Sequence, residues 1–182
     1  MIKILLTAAV ALSATAAHAN PSIDGFKNFK FDTTTVNDVV NAGGKCKTFR
    51  TDYYTSGFKI GTECKMGANT VLGIAVSSYN IEFNSEGKIT TISFAECGSA
   101  DYGTQVRTTF GSPTEMSSVK PDRNKGEYKT EYNSKWKFAN GNSIRTWTVF
   151  DPTSRYCGIF ESMTFESTNK STFEAKQKSN DF

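Results

Sequence analysis

Histidine is almost missing from this chain: one in 182 residues, His18, inside the opening run "MIKILLTAAVALSATAAHAN". That run holds Lys3, an apolar stretch from Ile4 to Leu12, and small residues closing on Ala17-His18-Ala19. This is the pattern of a secretory signal with an A-x-A cleavage site. Cleavage before Asn20 removes 19 of the 182 residues and the histidine with them. The 163 that remain are expected to lack Ser-His and Cys-His nucleophiles and histidine-held metals. A second apolar run of bilayer length is lacking, as is a cysteine after the first run that would carry a lipid. A soluble periplasmic or secreted protein without membrane insertion is expected. Charge of one sign is lacking too, with 21 Lys and Arg against 18 Asp and Glu, which argues against nucleic acid as partner.

Four cysteines are present, Cys46, Cys64, Cys97 and Cys157, but no CxxC, so neither a thiol-redox catalyst nor a zinc ribbon is expected. An even count in an oxidising compartment reads as two disulfides. Of the three possible pairings, Cys46–Cys64 with Cys97–Cys157 is favoured, because the first closes a local loop between a helix end and the next strand. Aromatic residues are plentiful (14 Phe, 7 Tyr, 2 Trp), enough for a core with some left for a surface.

Helix signals occur twice. In "TTTVNDVVNAGG", Thr35 and Asp38 form a capping box, Val36, Val39 and Val40 one apolar face, and Gly43-Gly44 a stop. In "YGTQVRTTFGSP", Thr104 is the expected cap, Val106 and Phe110 lie one turn apart, and Gly111 with Pro113 ends the helix. Strand-like alternation fills most of the rest: "KTFRTDYY", "GFKIGTEC", "VLGIAV", "YNIEFNSEGKITTISFAE", "EYKTEY", "KWKFANGNSIRTWTVF" and "CGIFESMTFES". Hairpin turns are expected at Ser85-Glu86-Gly87 and at Asn140-Gly141. The expectation is an α+β protein: two tandem units, each a helix plus an antiparallel meander, forming a sheet with helices on one face. The boundaries are a signal at 1–19, units at 20–97 and 98–166, and a polar tail at 167–182 in which "STFEAKQK" could make a helical turn.

Two short helices with "xxVxxxxG" character, each leading into a meander of strands, resemble the secreted β-lactamase inhibitor proteins. The single unit is similar to the outer-membrane assembly lipoproteins of the SmpA/OmlA type, although the lipidated cysteine of those is lacking. The likeness covers residues 31 to 166 and rests on element order, glycine stops and cysteine placement. What it implies is a binding protein that uses an open sheet face.

Fragments of catalytic motifs are also present. "SSVK", residues 117 to 120, has the Ser-x-x-Lys spacing of acyl-enzymes, and "SYN" at 78 to 80 their Ser-x-Asn. Pro113 and Pro121 bracket the first, no apolar face repeats in it, the order of the two is wrong, and no Lys-Thr-Gly follows, so a loop is expected. Glu63, Glu82, Glu96, Glu127, Glu131 and Glu161 could pair as glycosidase carboxylates, but alternation reads them as solvated strand faces. "DRNKG" at 122 to 126 lacks the glycine and distal glutamate of a calcium loop. "KGEYKTEYNSKWKF" interleaves lysines with Tyr128, Tyr132, Trp136 and Phe138, an arrangement able to stack on sugars or bases.

Arg145 and Trp147 alternate with Ile144 and Thr146, and Arg and Trp are favoured interface anchors. Candidate binding residues are therefore Arg145, Trp147, Tyr132 and Trp136. The leading expectation is a non-enzymatic exported protein that binds another protein, as an enzyme inhibitor or envelope accessory factor, with no metal or cofactor. The alternatives are a small carboxylate-dependent hydrolase and a carbohydrate- or small-ligand-binding protein with an aromatic face.

Overall fold

A computed structural model describes residues 21–53, 57–98 and 100–170. The expected signal segment and the "STFEAKQK" turn lie outside these. After a hairpin of β1 (Gly25–Phe26) and β2 (Phe29–Lys30) comes α1 (Val36–Asn41). Then follow β3 (Lys45–Tyr53), β4 (Gly57–Met66), a small hairpin of β5 (Asn69–Val71) and β6 (Ile74–Val76), β7 (Tyr79–Asn84) and β8 (Ile89–Cys97). The second part holds α2 (Tyr102–Phe110), β9 (Glu115–Val119), β10 (Thr130–Lys137), β11 (Ser143–Phe150) and β12 (Ile159–Glu166).

Eight of these strands make one antiparallel sheet in the order β3-β4-β7-β8-β12-β11-β10-β9. The last strands of the two runs, β8 and β12, therefore meet at the centre. Because side chains alternate across a strand, cross-strand pairing fixes which residues share a face. Cys64, Ile81, Ile92, Phe165, Ile144 and Trp136 stand in one row across six strands, and all are buried. Tyr79, Phe94 and Met163 follow in the next row.

This covered side corrects the expected class. The fold is mostly β, not α+β with a helical layer on the sheet. Helices of 6 and 9 residues are about 9 and 14 Å long, too short to cover a sheet roughly 34 Å across. The remaining cover comes from strands and an aromatic N-terminal segment. Phe26 makes edge contacts with Tyr79 and Phe94 at 5.7 and 5.0 Å between ring centroids. Ile23, Phe29 and Phe31 are buried beside it, and Val71 and Val76 of the small hairpin complete the cluster.

Local chemistry explains the boundaries. Thr35 caps α1 by accepting from the Asp38 N–H, while the Asp38 carboxylate accepts from the Thr35 N–H. The N-cap of α2 is Asp101, in the left-handed region at φ 54°, three residues before the expected cap Thr104. "VLGIAV" is two strands, because Leu72 and Gly73 turn with positive φ. "EYKTEY" and "KWKFA" share one strand, with Tyr128 before its start. The SSVK segment is an edge strand, not a loop: among the described residues β9 pairs only with β10, and it is exposed along its length. Residues three apart on a strand point to opposite faces, so Ser117 has no helical-turn partner in Lys120.

Candidate interaction face

No element among the described residues covers the other side of the sheet, and its residues can be read strand by strand. Across the middle stand Asn80, Ser93 and Thr164, small and polar. They are flanked by Lys65 and Lys45 on one side and by Arg145, Lys135 and Glu115 on the other. A parallel row holds Ala95, Ser162, Trp147, Asn133 and Ser117. The third has Lys47, Glu63 and Glu82 at one end and Glu166, Ser143 and Lys137 at the other. This face is therefore small and polar in the centre and charged at both ends; Phe49 and Phe160 lie on it half-buried, and one aromatic group is more exposed than either.

That group is Trp147, 36 % exposed. Its indole stacks edge-on against Phe160 with centroids 5.7 Å apart, and its Nε1–H donates to Glu131 at 3.2 Å. Arg145 lies two residues away on the same face, while Ile144 and Thr146 on either side of it are buried beneath α2. The structure thus brings Arg145 and Trp147 together and separates the other two candidates from them. Trp136 is 3 % exposed, with its Nε1–H donating to the Gly111 carbonyl at 2.8 Å, so it belongs to the core and presents nothing to a partner. Tyr132 is exposed but pairs with Thr148, which puts it on the side opposite Trp147.

Electrostatically the face is organised around Glu166. This residue is 8 % exposed, yet three cations converge on it: Lys170 at 3.1 Å, Lys135 at 3.6 Å and Arg145 at 3.6 Å. Ser143 adds an O–H bond at 3.0 Å. Burial alone would push the Glu166 carboxyl up; the charges of Lys170 and Arg145 and the hydrogen bonds from Lys170 and Ser143 outweigh it and hold the group below the ordinary glutamate range. A hollow of about 530 Å³ lies beside the cluster, lined by Lys135, Arg145, Ser117 and Asn133 among others. The composition and spacing of the sequence carried no sign of the cluster at Glu166, because two of its three cationic partners, Arg145 and Lys135, come from other strands; only Lys170 is local, at i,i+4.

Paired carboxylates occur on both sides. Glu63 stands opposite Glu82, and Glu96 opposite Glu161. On the covered side Glu161 accepts the Asp101 N–H ahead of α2, and Glu96 accepts the Ser77 N–H at 2.9 Å. Each thereby anchors a chain segment. Among the described residues no cluster of three metal-ligating side chains occurs, and no helix is long and apolar enough to cross a membrane.

Cys46 is joined to Cys64 and Cys97 to Cys157, the pairs expected. Two disulfides suit an oxidising compartment. Comparisons with protein-family models, with curated proteins and with solved structures find no match.

Proposed function

We propose that this is an exported binding protein that engages another protein through the uncovered face of its sheet. The observation that carries this reading is the placement of Trp147 and Arg145, side by side on the one broad face that no part of the described chain covers. An eight-stranded face is roughly 34 Å across, wide enough for one side of a standard interface of about 800 Å². Two disulfides and a signal-like leader support export.

The test uses the oxidised protein as bait for envelope extract and culture supernatant, with Trp147→Ala alongside. Losing an aromatic anchor at the centre of an interface typically costs about 2 kcal/mol, roughly thirtyfold in affinity. Trp147→Ala is expected to fold as wild type does, with a thermal midpoint within a few degrees, and to lose the specifically captured protein. Undiminished capture by the variant would overturn the reading. So would a collapse of its melting temperature, which would mean that Trp147 serves the core.

A further inference from the structure

We infer that the group of cations around Glu166 is a receptor for a carboxylate on an acidic segment of the partner protein. This rests on the reading that the open face binds a protein, and it names the chemistry of one contact. Among the described residues, Lys135, Arg145 and Lys170 bring three positive charges to the single buried carboxylate of Glu166, an excess of two. Only Lys170 sits at hydrogen-bonding distance, 3.1 Å. Arg145 approaches through one Nη at 3.6 Å and Lys135 likewise at 3.6 Å, both too long for a strong hydrogen bond. The guanidinium fork, which matches a carboxylate with two parallel N–H bonds, is thus not saturated by Glu166.

Both side chains line the hollow that also contains Ser117 and Asn133, able to bond a second oxygen. Trp147 stands next along β11 and offers an apolar neighbour to the same ligand. Protein is favoured over an extended polyanion because the surrounding charges alternate in sign. Glu115 also lines the hollow but is held by Lys137, and Lys47 is held by Glu63, so one Asp or Glu would meet a single, already paired carboxylate, whereas a polymer with charge at every unit would meet several.

The probe is the peptide acetyl-Gly-Asp-Gly-Asp-Gly-amide, titrated into the oxidised, ¹⁵N-labelled full chain, with the Asn-for-Asp peptide as control. The expected result is saturable shifts of the Arg145 Nε–H, the Trp147 indole N–H and the Ser117 amide with the acidic peptide alone, weakening as salt rises. Arg145→Gln combined with Lys135→Gln should lower the affinity at least tenfold, and Lys47→Gln at the far end should not change it. Glu166→Gln, which removes the internal competitor while keeping the side chain's shape, should tighten binding several-fold. Equal shifts with the Asn peptide, an absence of shifts, or unchanged affinity in Glu166→Gln would overturn the inference. Tighter binding of a heparin hexasaccharide at the same residues would overturn it in favour of a polysaccharide. A silent titration beside Trp147-dependent capture removes only the carboxylate receptor; a positive titration with capture independent of Trp147 removes the Trp147 anchor instead.

Discussion

Two buried aromatic residues treat their polar atoms in opposite ways. Tyr102 is 1 % exposed and its hydroxyl has no hydrogen-bond partner among the described residues, while Trp136 gives its N–H to the Gly111 carbonyl at 2.8 Å. A buried donor without a partner costs about 1–3 kcal/mol. Tyr102→Phe is therefore expected to leave stability unchanged or raise it by about 1 kcal/mol in urea unfolding at neutral pH. Trp136→Phe, which leaves the Gly111 carbonyl unpaired and shrinks a packed ring, is expected to cost about 2 kcal/mol or more. The reverse order would show that the phenol anchors the core.

Alkaline pH gives Tyr102 a second signature. Burial first, then the charges of Glu96 and Glu161, push its phenol from 10.0 up to about 12. A raised folded-state value means that stability is unaffected below pH 10 and declines as pH climbs from there toward 12. Tyr102→Phe should lack that component of the decline. Neither role was legible in the sequence. Tyr132 and Trp136 share a side only because the two segments form one strand, and the C-terminal end of α2 decides that Trp136 is covered and Tyr132 is not.

At the scale of elements, legibility follows how local the determining contacts are. Thr35 and Asp38 are three residues apart, and their reciprocal hydrogen bonds in the capping box could be read directly. Helix α1 has 6 residues and cannot hold itself by backbone bonds alone. Thr35→Ala is expected to cost about 1 kcal/mol, and Thr35→Ser, which keeps the acceptor, much less. Equal losses in the two variants, measured by chemical denaturation, would show that packing of the threonine methyl matters more than the cap. The turns at Gly87 and Gly141 were equally local: both glycines have positive φ, 74° and 80°. Strand β9 was not, because an exposed edge strand buries no face and has no alternation to show. The β1–β2 hairpin went unread for a related reason. Its strands have two residues each, below any period, and Phe26 and Phe29 are ordered by contacts with distant strands.

The whole molecule is set by the least local contact of all, the pairing of β8 with β12, in which Ile92 stands opposite Phe165 and Phe94 opposite Met163. The sequence displayed two similar runs of strands, each after a helix, and nothing in either run states that their last strands meet. That junction makes one continuous sheet, and the core runs across it without interruption from Cys64 to Trp136. The disulfides are distributed in the same way: Cys46–Cys64 lies within the first run, while Cys97–Cys157 ties the end of β8 to the loop before β12. Cooperative unfolding of both runs together follows. Both tryptophans, Trp136 and Trp147, lie in the second run and report on it alone by fluorescence. Ile81→Ala opens a cavity in the first run, at a residue with no exposed surface, and large-to-small core changes of this kind cost about 2–5 kcal/mol. At about 2–4 °C per kcal/mol for a chain of this size, the midpoint should fall on the order of 10 °C. The tryptophan signal is expected to move by the same amount as circular dichroism, although the substitution is made three strands away from β11. A tryptophan midpoint that stays in place while circular dichroism shows an earlier, partial transition would mean that the two runs fold as separate domains joined only at their edges.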